Sequence, residues 1–205
     1  IAGTITLTPF AGCVKPQRQK RGDADMQKKE RFTARKLAIV GLLSALVFVS
    51  SWMQIEVGPA RFHLGNGFCA LAGLLFGPLT GGLAAGFGSM LFDLTNPAYI
   101  SGCLITFATK FVIGYLAGLV AHKGPVSTKK DILGTLAGSV AYIVLYMAKS
   151  FVEMYWIEGQ AMGAVQVRLV AKLSASCVNA VVALVVATLL AAALRPALHR
   201  AKILA

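Results

Sequence analysis

The stretch RFHLGNGFCALAGLLFGPLTGGLAAGFGSMLFD, residues 61–93, decides the fold of this chain. A polar beginning leads into an apolar run, which Gly77-Pro78 interrupts. The second run is rich in glycine and alanine and ends at Asp93. Small residues let helices approach each other closely in lipid, and a Gly-Pro pair marks a turn. The stretch therefore predicts two closely packed membrane helices joined by a tight turn.

The composition of the whole chain agrees with a membrane protein. Of its 205 residues, 57% are hydrophobic and 14% are charged, whereas soluble domains are roughly 45–50% apolar and about 25% charged. Apolar segments run from residue 37 almost to the end without a soluble block. We therefore expect one all-α integral membrane domain over residues 37–195, located as a multi-pass protein in the plasma membrane.

The two ends of the chain differ from this domain in their sequence pattern. The sequence begins with Ile1, and Met26 opens a segment that resembles a native start. We expect residues 1–25 to be a disordered or non-native extension. Residues 26–36 are expected to be a basic cytoplasmic N-terminus, and residues 196–205 a cytoplasmic tail.

Basic residues set the predicted topology. Of twenty Lys and Arg, nine lie before residue 37, three lie between residues 123 and 130, and three lie from residue 195 onward. Basic residues that flank apolar runs mark cytoplasmic ends. The pattern predicts six transmembrane helices with both termini in the cytoplasm. Their expected positions are residues 37–54, 66–76, 79–94, 101–121, 132–157 and 167–194, with a polar outer loop over 55–67 and the last helix ending at Arg195-Pro196.

Four pieces of sequence resemble the substrate-binding S components of energy-coupling factor (ECF) vitamin transporters, in particular the riboflavin-type group. They are the triplet Leu64-Gly65-Asn66, the Gly77-Pro78 turn, the glycine-rich helix that ends at Asp93, and the T-x-x-x-K helix from Thr106 to Lys110. Many relatives have aspartate at the position of Asn66, and this departure leaves the exact substrate open.

The resemblance implies a subunit that captures a vitamin or vitamin precursor outside the cell. Riboflavin, a thiamin pyrimidine and a pyridoxine-like compound are all conceivable. The expected partners are a transmembrane coupling protein and two cytoplasmic ATPase subunits. The resemblance implies that the coupling protein contacts the small-residue face of the first helix at Ala38, Gly41 and Ala45. The alternative is a stand-alone secondary transporter driven by an ion gradient.

Polar residues inside the predicted helices are the candidate ligands, because ionisable groups in a membrane are costly and usually functional. Glu153 lies one turn from Lys149 and at the same depth as Lys172, so either lysine could pair with it. Asparagine both donates and accepts hydrogen bonds, which suits a heteroaromatic vitamin. The residues expected to bind substrate are Asn66, Asp93, Asn96, Lys110, Tyr146, Glu153 and Asn179.

Several kinds of site are not predicted. The four cysteines lie far apart with no metal-ligand spacing, so we expect no metal. The sequence has no HExxH, GxSxG or Walker pattern, so we expect no catalytic residues, no enzyme activity and no cofactor. Basic residues are not interleaved with aromatic residues as in nucleic-acid binders, which argues against a nucleic-acid partner.

Overall fold

A computed structural model of the chain describes residues 34–57 and 60–201. The described residues from Lys36 onward belong to one compact unit. The proposed extension over residues 1–25 and most of the basic segment 26–36 lie outside the described residues. The elements in chain order are α1 (Ala34–Trp52), β1 (Gln54–Val57), β2 (Ala60–His63), α2 (Gly65–Phe76), α3 (Pro78–Thr95), a 3-10 turn (Ile100–Gly102), α4 (Cys103–Ala121), α5 (Thr128–Val152), a π-helical turn (Glu153–Ile157) and α6 (Met162–Arg200).

The described residues thus contain six α-helices at the predicted places. Four segments are long and apolar enough to cross a membrane: 34–52, 100–121, 128–157 and 162–200. Helix α2 has only 12 residues, fewer than the ~20 that a straight span needs. Gly77 joins α2 to α3 at φ +87, a left-handed backbone conformation that glycine adopts without steric cost.

The segment after α1 is a hairpin, so the prediction of a loop over residues 55–67 is wrong for most of its length. Strands β1 and β2 pair antiparallel with Gln54 opposite His63, and α2 begins at Gly65. Isoleucine, valine and phenylalanine favour strands, and they occur in this segment as Ile55, Val57 and Phe62.

Helix α6 passes through Pro196 and ends at Arg200, so the prediction that it ends at Arg195-Pro196 is wrong. Proline removes one backbone hydrogen bond from a helix. The Arg195 side chain holds this turn by donating to the Asp131 carboxylate and to the Leu74 carbonyl oxygen. The residue before the proline is therefore anchored to α5 and α2.

Helices α2, α3 and α4 pack backbone against backbone. A Cβ atom at Gly118 of α4 would lie 2.6 Å from the carbonyl carbon of Gly77 and from the nitrogen of Pro78. Large apolar side chains instead point outward: Leu42, Leu104 and Val167 are each more than 70% exposed. This arrangement, with small residues inside and large apolar residues outside, suits a surface covered by lipid.

Replacing Gly118 with alanine should therefore destabilise the fold. The three atoms nearest to the added methyl group are all backbone atoms, which cannot move aside as a side chain can. Overpacking of this kind costs about 1–3 kcal/mol. Gly163→Ala is the matched control, because a Cβ atom there has nothing within 4 Å. Thermal denaturation of both variants in detergent measures the difference. Equal melting temperatures would contradict the close packing.

Candidate functional site

A cavity of about 360 Å³ lies between the ends of α3, α4, α5 and α6 that adjoin the hairpin. Its wall is mainly polar, although it sits in an otherwise apolar helical body. The polar, charged and tyrosine side chains in the wall are Ser51, Gln54, His63, Ser89, Asp93, Tyr99, Ser101, Thr106, Thr109, Lys110, Tyr142, Tyr146, Lys149, Ser150, Glu153, Glu158, Lys172, Ser176 and Asn179. Such a wall can bind a small molecule through many hydrogen bonds.

Lys110 of α4 is one of the two buried charges in this wall, and it is 7% exposed. Its Nζ donates a hydrogen bond to Oδ1 of Asn66 in α2 and lies 4.5 Å from the centre of the Tyr142 ring. Asp93 of α3 is equally buried and also faces the cavity. The amide and the aromatic ring stabilise the ammonium group at a place where water is scarce.

Helix α5 supplies one side of the cavity as a stripe of residues at helical spacing. Tyr142 and Tyr146 stack at 5.6 Å with an interplanar angle of 12°. One turn further, Nζ of Lys149 lies 3.0 Å from Oε1 of Glu153. This distance decides between the two possible partners of Glu153: it pairs with Lys149 on its own helix.

The helical geometry changes at Glu153. This residue begins a π-helical turn, in which the Glu158 N–H donates to the Glu153 carbonyl oxygen at 2.9 Å. π-helical turns occur often at functional sites, because the extra residue redirects side chains. Glu158 follows the turn and also lines the cavity. It lies 3.9 Å from Arg168 at the exposed end of the site.

Helix α6 closes the remaining side. Asn179 is 6% exposed, and its Oδ1 accepts a hydrogen bond from the backbone N–H of His63 at 3.1 Å. The hairpin is thus fastened to α6 through this amide. Lys172 lies two turns before Asn179, and its Nζ donates to Oγ of Ser150 at 3.3 Å.

The seven residues predicted to bind substrate do not all reach the cavity. Five of them line it: Asp93, Lys110, Tyr146, Glu153 and Asn179. Asn66 is not a wall residue, but its Oδ1 accepts a hydrogen bond from Lys110, which is one. Asn96 is the C-cap residue of α3, and its Oδ1 accepts a hydrogen bond from the Ala98 N–H rather than facing the cavity.

Other wall residues were not among the sequence-based candidates. Tyr142, Lys149 and Ser150 share a face of α5 with Tyr146 and Glu153, so helical spacing could have identified them. Gln54 and His63 come from the hairpin, but Gln54 was predicted as the end of the first helix and His63 as part of a polar loop. The sequence offered no signal for their position.

A second feature is an apolar groove between α1 and α3. Gly41 and Ala45 line it together with Leu37, Phe87 and Leu91. A Cβ atom at Gly41 would have nothing within 4 Å. Ala38 is exposed on the same helix. The three small residues predicted to face a partner therefore lie at the surface of the described unit.

No group of three or more His, Cys, Asp or Glu side chains comes together within the described part of the chain. The ionisable residues around the cavity are mainly lysine and glutamate, each held by a neighbour as described above. The site is thus built for binding by hydrogen bonds and charge.

Two comparisons with known proteins bear on this site. The family model described as "ECF-type riboflavin transporter, S component" matches residues 31–196. A protein of Pyrococcus woesei, described as an uncharacterized protein in the gap 3'region, is 33% identical to the chain over 100 residues. The aligned part is 49% of this chain and 66% of the relative, slightly less than two thirds of its length.

Proposed function

We propose that this chain, which belongs to the ECF-type riboflavin transporter S component family, captures a vitamin or vitamin precursor outside the cell for an ATP-driven importer. The family consists of membrane transport subunits that bind substrate, and it is not an enzyme family. The observation that carries the proposal is the polar cavity enclosed by four helices of an apolar body. Riboflavin, a thiamin pyrimidine and a pyridoxine-like compound remain the candidate substrates.

The size and chemistry of the cavity support a small polar substrate. Its volume of about 360 Å³ lies at the lower end of the ~300–1,000 Å³ typical of small-molecule sites. Tyr142 and Tyr146 offer aromatic surface beside Lys110 and Glu153, which can donate and accept hydrogen bonds. This combination fits a planar heterocycle with polar substituents.

The charge distribution supports uptake from outside. The cavity lies at the end of α5 that contains Glu153, whereas Lys123, Lys129 and Lys130 lie beside the opposite end. Clustered lysines at helix ends favour the cytoplasmic side. In this orientation both termini are cytoplasmic and the cavity opens outward.

The groove between α1 and α3 supports the proposed contact with a coupling protein. Gly41 and Ala45 leave open space in its wall, and small residues in lipid let a second helix pack closely. We propose that a transmembrane coupling protein binds there and connects the subunit to two ATPases.

Co-purification and transport assays test the proposal. The tagged chain, expressed in its own host, should co-purify with a transmembrane protein and two ATPases, and vitamin uptake by this complex in liposomes should require ATP. Mass spectrometry of the ligand retained through purification would identify the substrate. Accumulation by the chain alone, driven only by an ion gradient, would contradict the proposal and support a secondary transporter.

Replacing Glu153 with alanine should weaken substrate binding by roughly tenfold or more, because hydrogen bonds to a charged group contribute about 1.5–3 kcal/mol. Lys149→Met is the matched control, since it breaks the same ion pair but keeps the carboxylate. Calorimetric titration of both purified variants measures the affinities. Equal losses in the two variants would assign Glu153 to the ion pair alone.

A further inference from the structure

Lys172 is a cavity residue that forms no ion pair among the described residues, although Glu153 and Glu158 act on its charge from longer range. It projects from α6, and its Nζ lies 3.3 Å from Oγ of Ser150 and 5.7 Å from the centre of the Tyr146 ring. Ser150 is fully buried, at 0% exposure. A fixed hydroxyl and an aromatic face therefore hold the ammonium group against the cavity wall.

The other charged side chains around the outer part of the cavity have partners of opposite charge. Lys149 pairs with Glu153 at 3.0 Å, and Arg168 lies 3.9 Å from Glu158. Among the side chains that the structure describes, no carboxylate lies within 4.0 Å of the Lys172 Nζ. The nearest acidic groups are thus already engaged by other cations.

Such a lysine is costly unless something compensates its charge. Removing an ammonium group from water carries a penalty that a hydroxyl group only partly offsets. The ammonium group also has three N–H donors, and Ser150 accepts from only one of them. Lys172 is only half-buried, so water can accept from the remaining donors until a substrate displaces it. An anionic oxygen of that substrate would then satisfy both the donors and the charge.

From this geometry we infer that Lys172, positioned by Ser150, binds an anionic oxygen group of the substrate, either a carboxylate or a phosphate ester. The inference rests on the proposed function, because it concerns the molecule that this cavity takes up. The aromatic part of that molecule would lie against Tyr146, next to the anionic group. Lys172 would then select the charged form of a vitamin over its neutral form.

The test compares pairs of compounds that differ in one anionic group. Riboflavin is compared with its 5′-phosphate, pyridoxine with its 5′-phosphate, and nicotinamide with nicotinate, by calorimetric titration of the purified full chain. The first two pairs report on a phosphate ester and the third on a carboxylate. In the pair that binds, the anionic member should bind about tenfold or more tightly than the neutral member.

Variants of Lys172 test whether the preference for the anionic compound depends on this residue. Lys172→Gln should remove the preference by weakening only the anionic member, and Lys172→Arg should keep most of it because the charge is retained. Lys129→Gln makes the same change at an exposed position in the first turn of α5, at the end far from the cavity, and should leave both affinities unchanged. A shift of the melting temperature on adding each compound reports binding independently of calorimetry.

The outcomes separate the inference from the proposed function. Tighter binding of a neutral member, or equal loss of both members in Lys172→Gln, would overturn the inference and leave the vitamin-binding function intact. Failure of all six compounds to bind, together with the absence of a retained vitamin or vitamin precursor, would overturn both. A retained ligand without an anionic group would overturn the inference alone.

Discussion

Replacing Asp131 with asparagine is expected to lower the free energy of unfolding by about 3–5 kcal/mol, the usual cost of removing one partner of a buried ion pair. The Asp131 side chain is 3% exposed and that of Arg195 is 15% exposed. Two parallel hydrogen bonds of 2.5 and 2.7 Å join them. Arg195 also donates to the Leu74 carbonyl oxygen at 3.2 Å. The variant would leave the arginine charge buried without its counter-ion.

The matched control is Glu158→Gln, which breaks an ion pair at 3.9 Å between side chains that are about half exposed. Exposed pairs contribute only ~0–1 kcal/mol, so its melting temperature should hardly change. The double variant Asp131→Leu with Arg195→Met should recover much of the lost stability, because apolar replacements of a buried pair are often neutral. Equal melting temperatures for Asp131→Asn and Glu158→Gln would show that the buried pair contributes no more than the exposed one.

Replacing Gly41 with leucine is expected to weaken assembly with the coupling protein strongly while substrate binding stays intact. The position is open, since a Cβ atom there would have nothing within 4 Å, so the subunit itself should accept the leucine side chain. A partner helix in the groove would meet that side chain directly. A loss of about 2 kcal/mol, as at a central interface residue, would weaken assembly roughly thirtyfold.

Gly163→Leu is the control for this substitution, because it adds the same side chain to open space at the start of α6. Co-purification of the ATPases measures assembly, and calorimetric titration with the retained ligand measures binding. Normal assembly of Gly41→Leu would remove α1 from the partner surface. Loss of substrate binding with normal assembly would contradict the assigned face.

Helix positions could be predicted from the sequence because they depend on local properties. The apolar runs and the Gly77-Pro78 break located α2 and α3 to within one residue at each end. The hairpin was missed because two four-residue strands carry little periodic signal. The continuation through Pro196 was missed because proline usually ends a helix, and the contacts that anchor Arg195 to α5 and α2 join residues far apart in the chain.

The candidate site likewise has features that the sequence could predict and features that it could not. Buried position along a helix was enough to select Lys110, Glu153 and Asn179, all of which line the cavity. The partner of Glu153 depends on how α5 and α6 are rotated against each other, so the sequence left Lys149 and Lys172 as equal alternatives. In the structure Glu153 pairs with Lys149. Lys172 forms no such pair among the described residues, and it is therefore the lysine that we propose for substrate binding.

The contacts among the glycines of α2, α3 and α4 have a consequence for how such proteins diverge. Gly73, Gly81, Gly114 and Gly118 bring backbones so close that a methyl group at any of them would meet backbone atoms of a neighbouring helix. The stripe on α5 and the facing residues of α6 line the cavity instead, where a changed side chain meets open volume. A homologue that takes up a different molecule is therefore expected to retain glycine at these four positions and to vary along α5 and α6. Comparison of such homologues would distinguish the residues that maintain the fold from those that determine which molecule is bound.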